Sequence, residues 1–281
     1  MLRCPRHFYQ RGDLCITTQA DLGSYAKISQ RTYDMKNYTT FTKAPIVEAI
    51  FDIQVEPAEG MNVEQIGTFF DRVAGRYPEK ELRTRGSAII RISTQGPSMD
   101  EPSVQPRGYL FRSPEEKKAV QARVDGYTFN KFSPYENWDA FSAEARELWQ
   151  YYVETAKPKR LKRLALRYIN RIEIPLPIRD FKDYLLTIPE IAPRLPQALS
   201  NFIMRLVVPN PDMEATAVIN VVMEQTLGMQ LLPIIFDIDV CKITNHPGDS
   251  EEIWHEFDQL RIFKNEIFFN SITDKAKELF Q

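Results

Sequence analysis

Apolar and polar residues alternate with a period of two over residues 46–55. The apolar positions are Val47, Ala49, Phe51, Ile53 and Val55, separated by polar positions that include Glu48, Asp52 and Gln54. Successive side chains of a strand point to opposite faces of a sheet, so this alternation predicts a strand with one buried face. The segment Leu164–Ile174 alternates in a similar way and predicts a second such strand.

Helical spacing follows the first strand. Apolar residues recur at intervals of three and four from Val63 to Tyr77, and Pro78 would end the helix there. Asn62 and Gln65 stand at the spacing of a capping box, in which each side chain accepts a hydrogen bond from the backbone N–H of the other.

A long second helix is predicted from residue 133 onward. Ser133 would cap it, Pro134 would take the first helical position, and Glu136 the third. The side chains predicted to form its buried stripe are Trp138, Phe141, Ala145, Leu148 and Tyr152.

The order of elements then recurs. One strand, one helix, a run of strands and a long helix occupy about 45–156, and the same order returns over about 161–270. The further strands are predicted at Leu82–Ser93, Tyr109–Arg112, Ala119–Phe132, Phe202–Val208, Ala215–Gln225 and Leu232–Ile243, with a loop at Thr94–Pro106. The later helices are predicted at Asp180–Leu186, from Asp249 with Glu252 completing its cap, and after a cap at Thr273.

This order predicts an α+β protein in which two copies of a β-α-β-β-β-α unit form antiparallel sheets with helices packed on one face. The copies would span residues 35–157 and 158–281. A parallel βαβ arrangement fits less well, because several predicted strands follow one another with no helix between them.

Composition favours a cytoplasmic globular protein. Of the 281 residues 43% are hydrophobic and 26% charged, and the net charge of −2 gives no general attraction to nucleic acid or anionic lipid. No apolar run is long enough to cross a membrane, so no membrane contact is predicted. The three cysteines, Cys4, Cys15 and Cys241, form no C-x-x-C pair, which is typical of a reduced compartment.

The first 34 residues differ from the rest. They carry five basic and three acidic side chains, and neither helical nor strand periodicity is sustained. We expect a flexible N-terminal extension, with translation starting natively at Met35 as one explanation of it. A basic arm that contacts a partner is the other interpretation.

No catalytic motif is present. The sequence contains no G-x-G-x-x-G, no P-loop, no G-x-S-x-G and no H-E-x-x-H, so it predicts no cofactor and no catalytic residue. His246 and His255 flank the start of the last long helix nine positions apart, and solvated or capping roles are favoured over a metal pair. No metal site is predicted.

Four carboxylates on strands are the weak candidates for catalysis. Glu48 and Asp52 share a face of the first strand, as Asp237 and Asp239 share a face of a later one. If these strands were neighbours, the four could hold a divalent cation and serve a hydrolase or nuclease. Ordinary cross-strand ion pairs are favoured instead; the partners predicted for them are Arg123, Arg167 and Arg171.

A basic segment joins the two predicted copies. It contains five cations in seven residues: Lys157, Lys159, Arg160, Lys162 and Arg163. These could neutralise phosphates of a nucleic acid, with Tyr127, Phe129 and Tyr168 stacking on bases. A solvated linker is the favoured interpretation, because aromatic residues on alternating strands usually belong to the core.

Several ordered motifs carry a resemblance. They are P-I-V-E-A at 45–49, R-Y-I-N-R-I-E-I-P at 167–175, D-I-D at 237–239 and L-R-I-F-K-N-E-I-F-F at 260–269, followed by I-T at 272–273. Together they resemble a sporadically distributed family of bacterial proteins that has no assigned function. The resemblance implies no reaction or cofactor; such a distribution is typical of mobile-element and defence genes.

Within those motifs three polar residues fall at apolar positions. Asn170 lies between Tyr168 and Ile172 on the predicted buried face, and Lys264 with Asn265 interrupts the last long helix. A hydrogen-bonded network is favoured over a specificity pocket, because an unpaired buried amide is unfavourable. We take Arg167, Asn170, Arg171, Lys264 and Asn265 as ligand or interface candidates.

The sequence therefore favours a non-enzymatic binding or scaffold protein that has a protein partner or associates with itself. A nucleic-acid-binding protein and a metal-dependent hydrolase or nuclease are the alternatives. Partner, ligand and oligomeric state do not follow from the sequence.

Overall fold

The computed structural model describes residue 38 and residues 41–87, 90–93, 96–99, 103–224 and 230–281. The predicted N-terminal extension, residues 1–34, lies outside them together with Cys4, His7 and Cys15. The strands of the described residues are β1 (Ile46–Glu56), β2 (Glu79–Ser87), β3 (Ile90–Ser93), β4 (Gly96–Met99), β5 (Ser103–Ser113), β6 (Lys118–Arg123), β7 (Gly126–Phe132), β8 (Arg160–Pro175), β9 (Ile203–Asn210), β10 (Ala215–Met223) and β11 (Leu231–Ile243).

The helices are short except for two. Their bounds are α1 (Val63–Ile66), α2 (Phe70–Val73), α3 (Trp138–Ala156), α4 (Ile253–Ser271) and α5 (Asp274–Glu278). A 3₁₀ turn, Gly67–Phe69, joins α1 to α2, so this segment forms one interrupted helix.

Nine strands form one antiparallel sheet in the order β2-β5-β6-β7-β1-β8-β11-β10-β9, and β3 pairs with β4 separately. The α+β class is therefore confirmed. β1 and β8 lie side by side at the centre, with Phe51 opposite Leu166. From this pair β7, β6, β5 and β2 run outward on one side, and β11, β10 and β9 on the other.

The long helices α3 and α4 cover the same face of the sheet. Phe51 of β1 contacts Phe141 of α3 with ring centroids 4.7 Å apart, and Phe257 of α4 also at 4.7 Å. All five residues of the stripe predicted for α3 are buried. Because burying one large apolar side chain stabilises a fold by about 1.5–3 kcal/mol, this aromatic layer is the main core.

Helix starts were predicted with mixed success. The capping box of Asn62 and Gln65 is present, with hydrogen bonds of 2.9 and 3.0 Å. The predicted start of α3 at Ser133 is wrong, because the Ser133 N–H still donates to Val47 O of β1 at 3.1 Å. The cap is Asn137, whose side chain accepts from the Ala140 N–H at 2.9 Å.

The second half needs two corrections and gives one confirmation. The predicted helix Asp180–Leu186 is only a 3₁₀ turn, Phe181–Asp183. The cap predicted from Asp249 does not form; α4 begins at Ile253, and its N-cap residue makes no side-chain hydrogen bond. The cap at Thr273 is confirmed, since its hydroxyl accepts from the Ala276 N–H at 3.2 Å.

The predicted loop Thr94–Pro106 is also partly wrong. Within it the described residues form β4 and the start of β5. β4 pairs with β3 and β5 pairs with β2, although a Pro- and Ser-rich sequence is typical of a loop. The boundary predicted between residues 157 and 158 falls between α3 and β8 and stays a prediction.

Candidate functional site

The polar positions of the central strands share the sheet face opposite α3 and α4. On this polar face β8 lies between β1 and β11, so Ile169 stands opposite Glu48 on one side and Asp237 on the other. Two strand spacings, about 10 Å, therefore separate the backbones that carry the two pairs of predicted carboxylates. Charged side chains fill this gap.

Arg167 and Asp237 form the best-defined ion pair of the polar face. The guanidinium donates to both carboxylate oxygens, Nε to Oδ1 and Nη2 to Oδ2, each at 2.7 Å. Asn220 Nδ2 donates to the same carboxylate at 3.0 Å, and Asp237 is only 1% exposed. Burial alone would lower the pKa of Arg167, but Asp237 raises it above its ordinary value.

Asp52 is the centre of a second cluster. It accepts from the Thr128 hydroxyl at 2.6 Å and from Arg123 Nη2 at 3.2 Å. Arg163 lies 3.5 Å from Asp52 and 3.7 Å from Asp239, so it joins the carboxylates of β1 and β11. Glu48 accepts from Asn130 Nδ2 at 2.6 Å.

Asp239 is the least satisfied carboxylate of this face. Its Oδ1 is buried and has no hydrogen-bond partner among the described residues. Burial raises the pKa of Asp239, while the charges of Arg163 and Arg167 oppose the rise. Asp237 and Asp239 therefore share a strand and a face but differ in how well they are paired.

The structure thus brings together the predicted carboxylates and arginines, but as ion pairs. Arg123 and Arg167 pair as predicted, whereas Arg171 pairs with Glu173 at 2.6 Å and Glu224 at 3.3 Å. Within the described ranges no group of three or more His, Cys, Asp or Glu residues could hold a metal ion.

The basic segment is spread over three environments. Lys157 ends α3 in a left-handed conformation, and Arg163 belongs to the polar face. Lys159 and Lys162 lie 4.0 and 3.8 Å from Glu59 and Glu56, in exposed pairs that contribute little to stability. Arg160 Nη1 donates to Asn245 Oδ1 at 3.3 Å.

The aromatic residues proposed to stack on bases belong to the core. Tyr127 and Phe129 are fully buried, and Tyr168 is 2% exposed. They are therefore not accessible to a nucleic acid in this conformation. The two histidines that flank the start of α4 differ: His246 lies 3.2 Å from Glu252 and 3.3 Å from Glu256, whereas His255 is exposed.

Asn170 and Lys264 lie on the helix-covered face, and among the described residues no hydrogen bond joins the two; the network stays a prediction. Asn170 is 2% exposed, and its Nδ2 donates to Phe236 O of the neighbouring strand β11 at 3.0 Å. The Lys264 ammonium lies 3.8 Å from the ring centroid of Tyr168, a cation–π contact. Asn265 is half-buried beside it.

Lys264 belongs to a cluster that the sequence analysis found only in part. The Tyr168 hydroxyl is 2.8 Å from the Tyr135 hydroxyl. Arg261, one turn before Lys264, lies 5.1 Å over the ring of Trp138. Burial and the charge of Arg261 lower the pKa of Lys264 to about 7. The spacing of three residues between Arg261 and Lys264 was the sequence signal that could have placed Arg261 in this cluster. No sequence signal could have placed Tyr135 there.

A polar cavity of about 210 Å³ lies between β6, β7 and the start of α3. Its charged groups neutralise one another: Lys118 lies 2.7 Å from Glu144, and Lys131 lies 2.9 Å from Glu136. This internal pairing leaves the cavity without a preference for a charged ligand.

The edge strand β9 carries the two large apolar side chains with the highest exposed fractions among the described residues of the sheet. Ile203 is 76% exposed and Val207 59%. They stand opposite Val222 and Val218 of β10, and Val222 stands opposite Ile235 of β11. We call the five residues Ile203, Val207, Val218, Val222 and Ile235 the β9 patch.

The chain matches no known family model, and no curated protein is detectably similar to it. Among the helices described, none is long and apolar enough to cross a membrane. Function must therefore be inferred from the geometry of the site.

Proposed function

We propose that the protein is a non-enzymatic binding or scaffold protein that associates with a second copy of itself through strand β9. The observation that carries the proposal is the exposure of Ile203 and Val207 at an edge of the sheet. An exposed, apolar edge strand is a template for pairing with another strand.

The backbone of β9 supports this mode of association. The Met223 N–H of β10 donates to Phe202 O at 3.1 Å, which fixes the alternation along the strand. Even-numbered residues therefore turn their backbone groups toward β10, and Ile203, Arg205 and Val207 turn theirs outward. A second β9 would pair with these groups.

The opposite edge of the sheet is built differently. β2 carries five charged residues in nine positions, reading E-K-E-L-R-T-R-G-S. Glu81 is within 3.2 Å of Arg83 and 2.7 Å of Arg112. Charged side chains discourage edge-to-edge pairing, so β2 is protected in the way that β9 is not.

Antiparallel pairing of two β9 strands is self-complementary, as a two-fold interface requires. A register centred on Leu206 would place Arg205 opposite Val207 of the second copy. In this register the Arg205 side chains of the two copies are not directly opposite each other. This favours the register, because like charges directly opposite one another destabilise a sheet. The β9 patches of the two copies would then be continuous.

The test is sedimentation velocity of the full chain from low to high micromolar concentration. We expect a concentration-dependent dimer that Val207→Lys weakens by about tenfold or more, since tenfold corresponds to only about 1.4 kcal/mol. Leu82→Lys is the matched control, because Leu82 is a 47% exposed apolar residue of the protected edge. It should leave the dimer unchanged.

A wild-type chain that stays monomeric throughout this range contradicts the proposal. So does a Val207→Lys variant that associates as tightly as the wild type while remaining folded by circular dichroism. A dimer disrupted by Leu82→Lys but not by Val207→Lys would move the interface to the other edge.

A duplication underlies this architecture in our proposal. Two observations support it: the strands run outward from β1 as β7-β6-β5-β2 and from β8 as β11-β10-β9, in reverse chain order on both sides, and α3 and α4 each have 19 residues. Co-expression of residues 38–157 and 158–281 as separate chains tests it. We expect them to reassemble through β1 and β8; halves that neither fold nor bind each other count against two independent units.

The metal-dependent and nucleic-acid-binding alternatives stay predictions. Within the described residues the carboxylates are engaged by arginines and amides, and the proposed stacking aromatics are buried.

A further inference from the structure

We propose that Arg261 and Lys264 of α4, together with Tyr135, form a binding site for an oxyanion group, a carboxylate or a phosphate. This site is on the helix-covered side of the sheet, away from β9. It is independent of the self-association proposed above.

The first argument is the pairing of charges. On the polar face Arg123, Arg163, Arg167 and Arg171 all have carboxylate partners within 3.7 Å. Within the described part of the chain neither Arg261 nor Lys264 has a carboxylate within ion-pair distance. Among the residues that the structure describes, these two cations, one turn apart, therefore have no anionic partner.

The second argument is that protein contacts fix both cations in place. Arg261 lies over the Trp138 ring at 5.1 Å, and Lys264 lies over the Tyr168 ring at 3.8 Å. Stacking on an aromatic face orients a guanidinium but leaves its N–H edge available, and that edge binds carboxylate or phosphate in two-point fashion. Lys264 adds a compact charge on the same side of the helix.

The third argument is a hydrogen-bond donor beside the cations. The Tyr135 and Tyr168 hydroxyls share one hydrogen bond of 2.8 Å, so only one of the two protons lies between them. The other hydroxyl proton is available to a ligand. Half-burial of Lys264 and Arg261 would strengthen an interaction with an anion, because the local dielectric constant is lower than in water.

Neighbouring acids do not supply the missing anion. Asp258 accepts from Trp138 Nε1 at 3.1 Å, and Glu136 pairs with Lys131 at 2.9 Å. Asp139, in the first turn of α3, is exposed. Burial, and after it the charge of Arg261, lowers the pKa of Lys264 to about 7, and no nearby carboxylate among the described residues opposes this shift.

Binding and protonation must then be linked. An anion binds the protonated amine better than the neutral amine, so a bound anion raises the pKa of Lys264. For the same reason the affinity falls as the pH rises through the pKa of Lys264. This gives a readout that a purely structural role would not produce.

The experiment is carbon-detected NMR of the full chain with ¹³C-methylated lysines. Sodium phosphate and sodium acetate are the probes, titrated at constant ionic strength against sodium chloride. We expect the Lys264 resonance, assigned by its loss in Lys264→Met, to shift saturably with at least one probe, and its titration midpoint to move upward. Lys182, an exposed lysine paired with Glu190 at 2.8 Å, is the internal control.

The variant Arg261→Gln separates the site from a general salt effect. It keeps the helix and Lys264, and we expect it to abolish the saturable shift. Response to phosphate alone, or to acetate alone, identifies which oxyanion the geometry prefers. A Lys264 resonance that responds to neither probe overturns the proposal, as does an undiminished response in a folded Arg261→Gln protein.

Discussion

The two faces of the nine-stranded sheet hold charge in different ways. On the polar face Asp237 is 1% exposed, yet it accepts from Arg167 and Asn220 at 2.7–3.0 Å. On the helix-covered face the cations of α4 rest on aromatic rings, at 3.8 and 5.1 Å. A buried charge is tolerated when an opposite charge and hydrogen bonds surround it, whereas a ring compensates only in part.

This difference bears on where a charged ligand would bind. An ion-pair network in which most groups already have partners has little left to offer a ligand, since most new partners would have to replace an existing one. A cation with only an aromatic neighbour gains from an added anion. The polar face therefore stabilises the fold, and the cluster of α4 is the better place for a ligand.

The largest effect is expected from the aromatic core that both long helices share. Phe51→Ala removes contacts with α3 and α4 at once, so we expect a loss of about 3–5 kcal/mol in the free energy of unfolding. Urea denaturation measures it. Ile50→Ala, the adjacent buried residue on the polar face, is the control and should have a smaller effect; equal losses would contradict the assignment of the main core.

A smaller effect should distinguish the paired aspartates. Asp237→Asn leaves Arg167 buried without its anion, and breaking a buried pair costs about 3–5 kcal/mol, less here because Arg167 is partly exposed. Denaturation at neutral pH measures the loss.

Asp239→Asn is the matched control on the same strand face. Burial raises the pKa of Asp239, so the folded protein stabilises this charge less well than water does, and we expect a change within about 0.5 kcal/mol or a slight gain. A larger loss for Asp239→Asn than for Asp237→Asn would reverse the ranking.

The smallest effect tests the cation on the other face. The pKa of Lys264 in the folded protein is about 7, below its ordinary value of 10.5. The folded state therefore binds fewer protons than the unfolded state between these values, and the stability of the wild type rises with pH across this window. At pH 7 and below, Lys264→Met should be more stable than the wild type, by about 1 kcal/mol after discounting for partial exposure.

Thermal unfolding at pH 6, 8 and 10 measures this difference. The advantage of Lys264→Met should shrink as the pH rises, because the wild type is relieved of its buried charge. A difference that is constant with pH, or that grows, would show that Lys264 is not held in an unfavourable charged form.

Much of the local structure could be predicted from residues alone. The alternation of β1 and the buried stripe of α3 are spacings of two to four residues, which can be read directly from the sequence. The cap at Asn62 needs only Gln65 three positions later. The start of α3 could not be predicted, because the Ser133 backbone donates to Val47, 86 positions earlier, and this contact outweighs a good capping sequence.

The candidate site was predictable only in its parts. The resemblance motifs, and the charged Lys264 at an apolar position, indicated α4. The spacing of two residues between Asp237 and Asp239 indicated that both lie on one face of the sheet. The sequence did not place Arg163 between Asp52 and Asp239, nor Tyr135 beside Tyr168, because each contact joins segments that only the folded chain brings together.

By itself the sequence determined the class of the fold, the face on which each strand residue lies, and the presence of most elements. These follow from periods of two and about 3.6 residues, which local backbone geometry imposes. The tertiary structure alone decided that β1 and β8 are neighbours, that β9 is an edge, and which charges are neutralised. Those outcomes depend on pairing between distant strands, for which no local period exists.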